Sequence, residues 1–108
     1  MQTLIKYIIP LDVNAPTFAY STTAIEVFPN PFVDRILVRL LGSEGNYTVA
    51  IYSLEGKRMY QQTFYAIDGE VNTYELSDIA IADLRRGMYV LTVNYHGTVV
   101  QAEKIIKQ

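Results

Sequence analysis

The chain has 108 residues, half of them hydrophobic, with 9 Lys and Arg against 11 Asp and Glu, a net charge of −2 and no cysteine. That length holds one hydrophobic core rather than two, and the apolar fraction excludes disorder for the bulk of the chain. Basic residues scattered through an acidic sequence give no footprint for nucleic acid. No run reaches the ~18 apolar residues of a membrane span, and thiolate and disulfide chemistry are absent.

The first ten residues, with Lys6 and a short apolar stretch closed by Pro10, lack the pattern of an export signal. Either the protein stays inside the cell, or an export signal lies upstream of this segment. Leu4 to Ile9 reads as a strand, the last of a preceding domain or an added edge strand of this one. Residues 11–24 are small, polar and interrupted by Pro16, the composition of a linker that packs poorly on its neighbour. The expected division is therefore residues 1–24 as linker or tail of a preceding domain, and residues 25–108 as the folded unit.

From Ile25 onward strand signals are dense. Arg35–Leu41 is rich in aliphatic and β-branched residues and stops at Gly42-Ser43-Glu44-Gly45-Asn46, a loop composition. In Tyr47–Tyr52 the residues Tyr47, Val49 and Ile51 alternate with Thr48, Ala50 and Tyr52, which sends the two sets to opposite faces of a sheet. Glu55-Gly56 supplies a tight turn into Lys57–Phe64, and Ile67-Asp68-Gly69 turns the chain again into Glu70–Leu76. Ser77–Leu84 breaks the rhythm, and reads as a bulged connection or one helical turn ended by Gly87. Met88–Tyr95 alternates cleanly, and His96-Gly97 turns it into Thr98–Ile106. Short strands at this spacing predict an all-β fold, a two-sheet antiparallel β-sandwich of about seven strands of immunoglobulin-like kind.

Catalytic chemistry finds little support. A lone His96 at a hairpin tip has no partner for a triad or zinc site, and reads as an exposed turn residue. The carboxylates sit mostly in or beside turns, with no spacing that suggests an acid–base pair across a cleft. Asp78 and Asp83 suit backbone capping. Nine tyrosines raise the prospect of a sugar-binding platform, but aromatic residues favour strands in any case, so packing on sheet faces is the expected role of most. No cofactor or metal is implied.

Four stretches, in order, carry a resemblance: Val27-Phe28-Pro29-Asn30-Pro31-Phe32-Val33-Asp34-Arg35, Ile51-Tyr52-Ser53-Leu54-Glu55-Gly56-Lys57, Leu84-Arg85-Arg86-Gly87-Met88-Tyr89-Val90-Leu91, and Lys104-Ile105-Ile106-Lys107-Gln108. Together they resemble the type A C-terminal sorting domain of type IX secretion substrates. Arg85-Arg86 departs from that pattern, where small residues or proline are usual, as does Ser53, where Asp or Asn is common. The motif residues singled out are Pro29, Asn30, Pro31, Gly56, Gly87, Tyr89, Lys104, Ile105, Ile106, Lys107 and Gln108.

As structure, Pro29 and Pro31 fix an extended, kinked geometry, and Gly56 and Gly87 suit positive φ. Tyr89 suits a tyrosine corner, its hydroxyl bonded to backbone. In the tail, Ile105 and Ile106 are expected to face opposite sides, and loss of the last two residues to cost little stability.

The resemblance implies a non-catalytic signal from a member of the Bacteroidetes. It would direct a cargo protein across the outer membrane, with the outer-membrane secretion machinery and a sortase-like protease as partners. It further implies transit through the periplasm to the cell surface or exterior, and cleavage, expected near Ser21 to Ala24 or just upstream. The rival reading is a small secreted adhesion or carbohydrate-binding module that shares only the fold. An enzyme is disfavoured.

Overall fold

A computed structural model describes residues 23–108. The expected strand at Leu4–Ile9 and nearly all of the expected linker lie outside the described residues. Seven strands follow in chain order: β1 (Ala24–Phe28), β2 (Ile36–Leu41), β3 (Gly45–Ser53), β4 (Arg58–Ala66), β5 (Asn72–Leu76), β6 (Gly87–Tyr95) and β7 (Thr98–Lys107). One helical turn, α1 (Ile79–Ala82), joins β5 to β6. The strands form two antiparallel sheets, β1-β2-β5 and β4-β3-β6-β7, in the immunoglobulin-like sandwich that the strand spacing predicts.

Alternation in the sequence sets the faces. Ile36, Val38 and Leu40 of β2 are buried against Tyr47, Val49 and Ile51 of β3 and Leu91 and Val93 of β6, while the residues between them are at least partly exposed, except Ala50. Each such fully buried aliphatic side chain contributes about 1.5–3 kcal/mol by leaving water. The three-stranded sheet is the narrower, and Tyr74 of β5 closes the gap by stacking on Phe64 of β4 at 4.2 Å between ring centroids. The Tyr74 hydroxyl also donates to the Tyr65 carbonyl at 2.6 Å.

The turn before β6 differs from expectation in where it stops. Asp78 caps α1 by accepting from the Ala80 N–H at 2.9 Å, as its residue type suggests. The helix ends at Asp83, whose N–H still reaches the Ile79 carbonyl, rather than at Gly87. Gly87 instead opens β6 at φ +144°, a backbone conformation that β-carbons disfavour.

The register gives the sandwich two distinct ends. At the first, β1 enters with Ala24 paired to Leu41, beside the Gly42–Asn46 loop. Three tyrosines pin that loop: Tyr47 donates to the Ser43 carbonyl at 2.7 Å, Tyr95 to the Glu44 carbonyl at 2.7 Å, and Tyr65 to the Glu44 carboxylate. Tyr47 also stacks on Tyr95 at 4.5 Å. The tyrosine hydroxyls therefore bind protein rather than reach for solvent. Exposed His96 lies edge-on to Tyr95, at φ +51° in its turn.

Burial, and secondarily the neighbouring Tyr95, pushes the Tyr47 hydroxyl from its ordinary value near 10 up to about 12. A phenol whose pKa is raised by folding stabilises the fold while it stays protonated. Its contribution is complete below about pH 10 and lost as pH rises towards 12. Urea unfolding across that range should show a falling midpoint in the native chain, and a smaller fall in Tyr47→Phe.

Candidate functional site

At the second end the opening motif and the tail meet. The Phe28–Pro29 and Asn30–Pro31 bonds are both cis, and the loop that holds them runs along the outer edge of β7. Asn30 then acts as a substitute strand. Its side-chain N–H donates to the Lys104 carbonyl at 3.0 Å, and its side-chain oxygen accepts from the Ile106 N–H at 2.9 Å. Phe32 continues the ladder, its N–H donating to the Ile106 carbonyl at 2.8 Å and its carbonyl accepting from the Gln108 N–H at 2.9 Å. Phe32 and Lys107 form a parallel bridge, and the Phe32 ring is fully buried. A sheet edge otherwise open to stray strands is closed over its last five residues.

The tail is woven into the core as well. Ile105 is fully buried, whereas Ile106 is 40% exposed, the opposed orientation that alternation gives. Lys107 departs from expectation. It is only 7% exposed, and its ammonium donates to the Ala82 carbonyl at 2.7 Å and the Leu84 carbonyl at 2.9 Å. A lysine here satisfies carbonyls that the end of α1 leaves without intrahelical partners. The expectation that the last two residues contribute little to stability is therefore overturned: Lys107 fastens the tail to the helical turn, and Gln108 to Phe32.

Tyr89 of β6, paired with Ile105, is buried and donates to the Arg85 carbonyl four residues upstream at 2.7 Å, the geometry of a tyrosine corner. Gly87 pairs with Lys107. Gly56 stands in the hairpin between β3 and β4 at φ +93°, its N–H donating to the Ser53 carbonyl at 2.9 Å. Thus Pro29, Asn30, Pro31, Gly87 and Tyr89 converge on residues 104–108, while Gly56 serves its own turn at the same end. Sequence reasoning passed over Phe32 and the α1 carbonyls. A large aromatic directly after a Pro-Asn-Pro turn was the available signal for the first; no local signal marks the second.

A shallow depression beside α1 is lined by Asp34, Arg35, Glu75, Ser77 and Ala82, with Arg35 and Glu75 paired at 3.3 Å across it. Among the described residues no group of His, Cys, Asp or Glu is placed to hold a metal ion, and no helix is long and apolar enough to cross a membrane.

The family model of the secretion system C-terminal sorting domain matches residues 26–108. The chain belongs to this family. It carries the type IX secretion C-terminal sorting signal. The sorting domain is also similar to a solved structure, that of dimeric latent PorU from Porphyromonas gingivalis. The TM-score is 0.64 at 22% identity, over 86% of this chain and 10% of that one. At that identity the likeness shows the fold, and the sorting domain spans about a tenth of the PorU chain's length. No curated protein sequence matches it.

Proposed function

We propose that this sorting domain is the substrate and address of export rather than a catalyst. It carries a cargo protein, joined through its N-terminal side, from the periplasm across the outer membrane. The observation that supports this reading most is the clasp itself. Residues 104–108 are bound on one side by β6, on the other by Asn30 and Phe32, and from below by α1. What the outer-membrane machinery meets is then a folded surface assembled from all four motif stretches, not a loose C-terminal peptide.

The same geometry refines where a sortase-like protease would act. Proteases take extended, unpaired backbone, and Ala24 is already paired with Leu41 and nearly fully buried. This pairing supports a cut upstream of Thr23, which would leave cargo and sandwich as separate pieces. The test is a reporter joined to residues 1–108 in a host with the type IX system. Mass spectrometry of the exported reporter should find a C-terminus before Thr23. A reporter left in the periplasm, or one ending beyond Ala24, contradicts the reading.

A further inference from the structure

Cations that lie apart in the sequence gather at the tail end of the four-stranded sheet. On the face turned away from the core, the register aligns Arg58, Tyr52, Val90 and Lys104 across the four strands, with Met88 beside Ile106 in the next row. Lys57, Arg85 and Arg86 are exposed in the turns flanking that face. The ion pairs among the described residues, Arg35–Glu75 and Arg39–Glu26, both lie on the other sheet, so these five cations have no carboxylate partner among the described residues. Met88 is 46% and Ile106 40% exposed between them. The nearby carboxylates are placed elsewhere: Asp34 and Glu75 line the depression beside α1, Asp83 closes that helix, and Glu103 accepts from Gln101, leaving Glu55 at a hairpin tip.

We propose that this basic and apolar face is where the export machinery docks, and that its occupant is a protein surface with carboxylates ringing an apolar centre. This rests on the sorting function proposed above and adds the chemistry of the partner. Charge complementarity argues for the acidic ring: cations with no carboxylate partner among the described residues of an otherwise acidic chain steer and orient an anionic partner. The planar forks of Arg85 and Arg86 match carboxylates two bonds at a time, while Arg58 gives one N–H to the Gln61 side-chain oxygen at 2.9 Å and keeps its charge for a partner. Half-buried Tyr52 and Val90 beside exposed Met88 and Ile106 form a small apolar area ringed by cations, which suits a protein contact better than the broad apolar face that sinks into lipid. The face also lies at the end of the sandwich opposite Ala24, where β1 begins.

The experiment joins a reporter to the full chain and compares the native form with Arg85→Glu/Arg86→Glu/Lys104→Glu and with a control, Thr73→Glu on the other sheet. Thermal melting of each purified chain checks the fold. A photo-crosslinking residue at Met88 reports contact in secreting cells, and phosphatidylglycerol vesicles test the lipid alternative. The triple reversal should keep its melting transition and lose export by about tenfold or more, as rim-charge reversals slow association. Met88→Ser should give a milder loss, the Met88 probe should join a protein, and the control should export normally. Native export by the folded triple variant, or reversal-sensitive binding of the native chain to vesicles with no protein adduct, overturns the docking face alone. A native fusion that is not exported overturns the sorting function itself.

Discussion

Replacing Phe32 with alanine is expected to lower stability by about 3–5 kcal/mol, the range for deleting a fully buried aromatic side chain. The ring fills the core at the tail end, where nothing on the loop can take its place, because Val33 beside it is 59% exposed. Its backbone also holds the Ile106 carbonyl and the Gln108 N–H, so a loop that shifts to fill the cavity breaks the clasp. Urea unfolding of the purified chain reads the loss directly. A change under about 1 kcal/mol would show that the loop is not anchored by this ring.

Lys107→Ala should cost about 2–4 kcal/mol, since it strips the donor from two carbonyls, the one on Leu84 in a buried contact, and empties the space of the lysine stem. Lys107→Met refills the space and should recover part of the loss. Gln108→Ala keeps the N–H that bonds Phe32 and should stay within about 0.5 kcal/mol of the native chain. This ordering matters for export. Removal of Lys107 and Gln108 together would stop secretion by loosening the fold as readily as by erasing a signal. Equal stability of Lys107→Ala and the native chain would restore the view of the tail as a detachable label.

Much of the sandwich is legible in the sequence because period-two alternation is a local property. That Tyr47, Val49 and Ile51 share one face could be read off before any partner strand was known, and the partner strands show that face to be the buried one. What escaped is non-local. Asn30 bonds β7 through its side chain, 74 and 76 positions away, and no periodicity marks a residue that imitates a strand. Lys107 was expected to matter little to stability because chain ends fray, and only the position of α1 explains why this lysine is buried. The basic residues look scattered because the order β4-β3-β6-β7 brings Arg58 and Lys104 into one row across strands far apart in the chain. The helical turn stopped at Asp83, ahead of the glycine that sequence rules favour, since Gly87 is used to start β6.

The most direct test of a folded address leaves the tail sequence untouched and breaks the core elsewhere. Leu91 is fully buried in the middle of β6, distant in sequence from residues 104–108. Leu91→Asp places an unpaired charge there and should unfold the domain. The quantity to measure is the ratio of exported to periplasmic reporter, which is independent of how much fusion survives. The account predicts a ratio near zero for Leu91→Asp despite an intact Lys104-Ile105-Ile106-Lys107-Gln108. Export at the native ratio would show that the machinery reads the tail as a linear peptide.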